Sequence, residues 1–307
     1  MIEKTINLDL CNKCGQCVKI CYASRVIEFN EQGFPGFAKN AKCIFCGHCQ
    51  AVCPQKAIEF KVSHLPANHV TAPAGPVTKN QDMLLLSQRS ERFFKQQSVP
   101  KDKIKQLVEA MMRSPSGGNE QNRCYYILDS GIKIDALEKA VNAYYSKLEK
   151  MGSNPLLKNL LITNLAKSYM ERLDIPSPYS RAQLGKYKQI CQDTFENGLR
   201  PEGFRFCLGA PVVIIITSAF KKITMHRQFF NGDVRLAMAY GTLMATLQGL
   251  ASCMLGLCEM AMNNEKNIPK LFNIPGTEKI QGLLAVGYGE TEWTQIPLRG
   301  PSKLVWV

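Results

Sequence analysis

The chain has 307 residues, 45% of them hydrophobic and 21% charged, which is enough for two domains and a sizeable core. Its formal charge of +13 is spread over scattered Lys and Arg, with no basic tail and no aromatic-interleaved stripe, so nucleic-acid binding is not expected. The longest apolar run, 236–257, carries Thr242, Thr246, Gln248 and Ser252 and follows Asp233 and Arg235, which argues for a buried core helix rather than a membrane span.

Eight of the thirteen cysteines fall in two runs of the same spacing. The first is Cys11, Cys14, Cys17 and Cys21; the second is Cys43, Cys46, Cys49 and Cys53, with Pro54 directly after it. Cys11 and Cys43 set the repeat at 32 residues. A [4Fe–4S] cubane needs four converging thiolates. This spacing lets one loop supply three of them and the other run supply the fourth. The expected ligand sets are therefore Cys11, Cys14, Cys17 and Cys53 for one cluster, and Cys43, Cys46, Cys49 and Cys21 for the other. Zinc sites prefer paired CxxC or Cys/His sets, and a disulfide framework belongs to secreted chains. Residues 1–60 resemble a bacterial two-[4Fe–4S] ferredoxin domain, with Tyr22 where the second run has Pro54. Two such sites, each near −2, lower the charge to about +9. The first residues, Met1–Asp9, hold no long apolar stretch, so a cytoplasmic protein without a signal peptide is expected, suited to low oxygen.

Beyond the cysteines, 62–80 is rich in proline and poor in charge and reads as a linker; its His64 and His69 sit in no metal-ligand pattern. From residue 81 the composition changes. Helices are expected at 82–86, 101–112 and 132–150, and over much of 155–199 with a break near Pro176 and Pro178. A long helix is expected at 234–250. Strands are expected at 124–128, at the β-branched run 211–217, and at 282–286. The expected fold class is α+β: a ferredoxin-like domain over 1–61, then a mainly antiparallel sheet flanked by helices over 81–307, with a helical insertion at about 142–206.

Three separated pieces of the second domain carry a further pattern. Arg89, Ser90 and Arg92 can hold a phosphate through charge-assisted hydrogen bonds. The loop 113–121 offers Gly117 and Gly118 for close backbone approach, with Asn119 and Gln121 as donors and acceptors for a ring edge. The third piece joins Gly209–Ile215, the Gly232-Asp233-Val234 start of a small-residue helix, and Leu283–Gly289. In this order the pieces resemble the FMN-dependent nitroreductase family, over about 83–300. The proline and tryptophan that follow the family's glutamine are replaced by Asn122 and Arg123.

The resemblance implies FMN bound at the interface of an intertwined homodimer. Arg89, Arg92 and Arg299 would neutralise the phosphate and Ser90 would add a hydrogen bond. Pro115, Ser116 and Gly117 would line the isoalloxazine, with Asn119 and Gln121 near its polar edge. Leu255 and Gly256 would bring backbone donors to the ring. FMN carries the chemistry, so no protein nucleophile is expected. The expected activity is an iron–sulfur flavoprotein oxidoreductase. Electrons from a soluble donor (ferredoxin, flavodoxin or NAD(P)H) would pass through two clusters to FMN and on to a nitroaromatic, quinone or activated alkene. The alternative is an electron-transfer module serving one-electron protein partners. The five remaining cysteines read as small buried hydrophobes, with Cys253 and Cys258 flanking the expected flavin-side loop. Gly241, Ala245 and Gly249, at intervals of four, fit either a dimer core or packing within the chain.

Overall fold

The computed structural model describes residues 2–21, 26–38, 43, 47–62, 81–117, 121–152, 163, 167, 204–219, 227–296 and 305–306. Expectations for Tyr22, Cys46, the 63–80 segment, Gly118, Asn119, most of the insertion and Arg299 lie outside the described residues.

At the amino end, β1 (Ile2–Ile6) pairs antiparallel with β4 (Ile58–Val62), and β2 (Ile27–Phe29) with β3 (Pro35–Phe37). Two one-turn helices, α1 (Gln16–Ile20) and α2 (His48–Val52), repeat the sequence period. Each follows a glycine at φ 73°, Gly15 and Gly47, a left-handed conformation that glycine adopts without the Cβ penalty. That turn swings the third cysteine of each run onto its helix. Ile20, Ile27, Val52, Ile58 and Phe60 close a small core around Cys17 and Cys49.

The larger part is built on four strands, β5 (Arg123–Leu128), β6 (Val212–Ala219), β7 (Ala251–Met254) and β8 (Glu278–Gly287), in the order β5-β6-β8-β7 and antiparallel throughout. The strand period of two sends alternate residues to opposite faces. Val213, Ile215, Leu283 and Ala285 face α5 (Gly131–Gly152), α7 (Gly256–Asn264) and α8 (Asn267–Lys270). Val212, Ile214, Ile216, Leu284 and Val286 face α4 (Lys101–Met112) and α6 (Arg227–Leu247). Burial on both faces is why Val212–Ile216 of β6 and Leu283–Val286 of β8 read as unbroken apolar runs. The short α3 (Gln81–Leu86) packs on α6. The fold is the expected α+β arrangement. Among the described residues, no helix is long and apolar enough to cross a membrane.

One expected element differs. The run 236–257 is not one helix: α6 begins at Arg227, stops at Leu247, and is followed by β7. Gly249 takes φ 70°; its N–H donates to the Thr246 carbonyl and the Leu250 N–H to that of Ala245. This paired closure satisfies the last helical carbonyls and turns the chain out. Gly241 serves packing within the chain, since a Cβ there would lie 2.9 Å from Met111 Cγ. Ala245 is likewise fully buried in the chain's own core.

Candidate functional site

Cys11, Cys14, Cys17 and Cys53 line one cavity, which Ile6, Pro35, Ala57 and Ile58 wall. Burial pushes the Cys17 thiol up to about 12, and the neighbouring Cys53, Cys14 and Cys11 thiols push the same way. Four cysteines around one space, whose thiolates would repel one another, suit a positively charged iron–sulfur core, which deprotonates its ligands. Among the described residues no group of three or more His, Cys, Asp or Glu side chains is placed to hold a single metal ion. The Ala57 N–H donates to Cys53 Sγ at 3.3 Å, the kind of amide contact that tunes a cluster ligand. Of the other set, Cys49 is buried and Cys21 and Cys43 pack against the same core.

The Arg89–Arg92 segment lies along β7. Ser90 bridges Ser252 in parallel, and the Glu91 N–H donates to the Ser252 carbonyl at 3.0 Å. The Ser90 hydroxyl contacts the Cys253 thiol, which burial pushes up against the opposing pull of Arg92. Glu91 is 1% exposed, and burial raises its carboxyl. Its Oε1 accepts from the Arg92 and Phe93 N–H groups, both at 2.9 Å, and from Thr291 Oγ1 at 2.8 Å. Glu91 thereby fixes the backbone that carries Arg92. Just past β7, Leu255 precedes α7, with its N–H held by the Leu283 carbonyl, and Gly256 opens that helix with space where a Cβ would be. A helix start carries a partial positive charge, and α7 begins here. Cys258 Sγ is directed to the Phe206 carbonyl inside the core.

The loop after α4 is held from a different side. The Gly117 N–H donates to both Asp233 carboxylate oxygens, at 3.0 and 3.1 Å, and the Gln121 N–H to Ser116 Oγ at 3.1 Å. Beneath it, Arg123 is 9% exposed and donates to Ser114 Oγ and to the carbonyls of Ser114, Met112 and Asp233. No role for Arg123 follows from the sequence alone. Its only sequence signal is an arginine heading an apolar strand where the family's pattern has other residues.

Within one chain these two pieces lie far apart. Gly117 docks on Asp233, whereas Gln88, beside Arg89, donates to Thr246 Oγ1. The thirteen residue-to-residue rises from Asp233 to Thr246 along α6 span ~20 Å. The sheet agrees: Ser252 faces Val286, while Arg123 faces Ser218, which faces Lys279. From Lys279 to Val286 is ~24 Å along β8.

The Arg89–Arg92 segment also meets the cysteine domain. Arg92 Nη1 donates to His48 Nδ1, His48 packs edge-on against Trp293 at 5.2 Å, and Arg89 lies over the same indole at 5.3 Å. The Thr294 and Gln295 N–H groups donate to the Ala51 carbonyl, Thr294 Oγ1 donates to the Cys53 carbonyl, and Arg89 Nη2 donates to the Gln295 carbonyl. Beside this contact a cavity of about 390 Å³ opens between the domains, edged by the exposed Lys19–Glu290 pair.

Comparison with known proteins places this architecture. The nitroreductase family model matches residues 85–288, and a 4Fe-4S dicluster domain model matches residues 3–68. The chain belongs to the nitroreductase family. Membership makes it an FMN-dependent oxidoreductase, preceded by an iron–sulfur domain of the ferredoxin type. Among curated relatives, iodotyrosine deiodinase 1 of Mus musculus is 23% identical over 77% of this chain and 72% of its own length. An FMN-bound nitroreductase structure from Bacteroides fragilis superposes with a TM-score of 0.50 at 16% identity, covering 75% of this chain and all of that one. An FMN-dependent nitroreductase from Clostridium difficile gives 0.50 at 15%, with the same coverage. These likenesses concern the fold.

Proposed function

We propose that this nitroreductase-family protein takes single electrons from a soluble donor into its amino-terminal domain, passes them to FMN, and reduces a small electron-poor organic acceptor such as a nitroaromatic, quinone or activated alkene. The observation that carries this reading is the direct contact between the Arg89–Arg92 segment and α2, the helix bearing Cys49. On it, residues 1–61 are the cluster domain, 62–80 a linker and 81–307 the flavin domain, with its insertion at about 142–206. The clusters would supply one-electron steps and FMN the conversion to a two-electron reduction.

The chain's own residues bind, orient and shield. Arg89, Arg92 and Arg299 would offset a phosphate dianion, with Ser90 as a neutral donor; the guanidinium fork suits phosphate oxygens. The start of α7 at Gly256 would present a positive helix end to the ring, favouring its reduced, anionic form, whereas the Leu255 N–H, expected to donate there, is taken by the Leu283 carbonyl. Pro115, Ser116, Gly117, Asn119 and Gln121 would line the ring from the Asp233 side. The ~20 Å between the loop and the arginine segment is best closed by a second copy, whose loop would complete this chain's site. Leu236, Tyr240 and Leu247 give α6 an exposed apolar stripe suited to that partner. A cytoplasmic homodimer is the assembly this reading calls for.

Anaerobic stopped-flow tests the acceptor class: reduced holoprotein should reoxidise rapidly on mixing with a nitroaromatic or a quinone. Reoxidation by a protein acceptor alone would instead favour an electron-transfer module. For the dimer, a subunit carrying Arg89→Ala and Arg92→Ala is paired with one carrying Ser116→Ala and Asn119→Ala. The mixed dimer should regain one FMN site of two; recovery of none would remove the shared site.

A further inference from the structure

We propose that His48 is the positioning residue that makes the Cys43, Cys46, Cys49 and Cys21 site, rather than the Cys11, Cys14, Cys17 and Cys53 site, the point of electron exit toward the flavin domain. The inference rests on the electron path proposed above and adds its polarity.

The internal repeat supplies the comparison. His48 and Gln16 occupy the same position, directly after the left-handed glycine of each run. Gln16 is exposed, whereas His48 is 4% exposed, enclosed by Arg92 and Trp293 of the other domain. Every residue lining the cavity of the first set belongs to the amino-terminal domain, and its Cys14 is exposed. Beside the first set Cys14 stays exposed and Gln16 only edges the interdomain cavity, whereas His48, next to Cys49, is enclosed by side chains of the flavin domain. Arg92 has donors only, so His48 Nδ1 is the acceptor, and the ring is fixed in a single tautomer. From His48 the contacts run to Arg92, whose backbone Glu91 holds, and on to Ser90 and Cys253 on β7. A rival route leaves the first set through the Cys53 carbonyl, crosses the Thr294 hydroxyl and the peptide to Gln295, and reaches Arg89. It is longer and uses no ring. Each passage moves one electron, supplied by a one-electron donor of the reduced-ferredoxin type; no bond is made or broken at His48.

The test compares His48→Phe, His48→Gln, Trp293→Leu and Thr294→Val in anaerobic holoprotein. Electron paramagnetic resonance follows each cluster, and absorbance follows the flavin after flash reduction. His48→Phe should keep about eight irons per chain and perturb the signal of one cluster only. That same signal should decay in step with flavin reduction, about tenfold more slowly than in the unaltered protein. His48→Gln retains an acceptor for Arg92 and should restore much of the rate. Trp293→Leu, outside the cysteine runs, should perturb the same signal and slow the same step even if His48→Phe loses iron. Thr294→Val should leave the rate within about twofold. The proposal is overturned if the signal sensitive to His48 is not the one that decays with the flavin, or if Thr294→Val slows transfer and the His48 and Trp293 changes do not. If both clusters of the unaltered protein stay reduced beside oxidised flavin, the electron path itself is wrong, whatever the variants do.

Discussion

The two domains are stabilised by different means. The sheet domain has two apolar cores, one on each face of β6 and β8, built of aliphatic side chains that exclude water almost completely. Each such side chain contributes roughly 1.5–3 kcal/mol when fully buried. The cysteine domain has one small core, in which Cys17 and Cys49 take up places that aliphatic residues would otherwise fill. A segment of about 60 residues is marginal on its apolar surface alone, and with cysteines in its core metal–thiolate bonds are expected to supply much of its stability. The large sheet domain is held by oil and the small cysteine domain by its clusters.

The largest expected effect separates them. Stripping iron with a strong chelator under reducing conditions should unfold residues 2–62 while the sheet persists. Hydrogen exchange is the measurement: amides of β1, β4, α1 and α2 should lose protection, while those of β6 and β8 keep theirs. Loss of protection in β6 would mean that the sheet domain depends on the contact at His48 and Trp293 for its own fold.

A smaller effect is expected at Arg123, which holds the loop of Ser116 and Gly117 without belonging to either core. Arg123→Leu leaves the carbonyls of Met112, Ser114 and Asp233 without that donor, and the cost of buried unsatisfied groups suggests a loss of about 2 kcal/mol in the sheet domain. FMN should bind about tenfold more weakly, with iron content unchanged, since a tenfold change in affinity corresponds to about 1.4 kcal/mol. Denaturant unfolding and flavin titration read the two quantities separately. Unchanged affinity beside lowered stability would detach the loop from the flavin.

What the sequence disclosed follows the same division. The cysteine spacing named its chemistry because ligand geometry tolerates few alternatives, and the repeat at Gly15 and Gly47 appears as two matching turns. Strands β6 and β8 were legible because burial on both faces makes Val212–Ile216 and Leu283–Val286 continuously apolar. β7 was not legible: Ala251–Met254 continues the apolar composition of α6, and only Gly249 marks the boundary, through a backbone conformation rather than a change in hydrophobicity. The contacts of His48, Trp293 and Glu91 were invisible for another reason. The pairs His48–Trp293 and Glu91–Thr291 join positions some 200 residues or more apart, and no local pattern encodes such a pairing. Gly249→Ala tests the boundary argument. Forcing a Cβ into the left-handed region should cost about 1 kcal/mol in the sheet domain and leave iron and flavin content unchanged. A neutral substitution would show that the chain turns out of α6 for some reason other than that conformation.

The smallest effect concerns Glu91, and its sign follows from its environment. Burial raises the carboxyl above its ordinary value, and this outweighs the amide and hydroxyl donors that favour the charged form. The folded state therefore binds the proton more tightly than the unfolded chain does. The resulting stabilisation is fully present below the unfolded carboxylate value, about 4.3, and fades as pH rises through the raised folded value. Glu91→Gln removes the titration while leaving a carbonyl acceptor for Arg92, Phe93 and Thr291. The melting temperature of the variant relative to the unaltered protein should therefore climb with pH and then level off once Glu91 is ionised in both states. A difference that stays constant across that range would mean the carboxyl titrates as an exposed one does, and that the Arg92 backbone is held by an ordinary carboxylate.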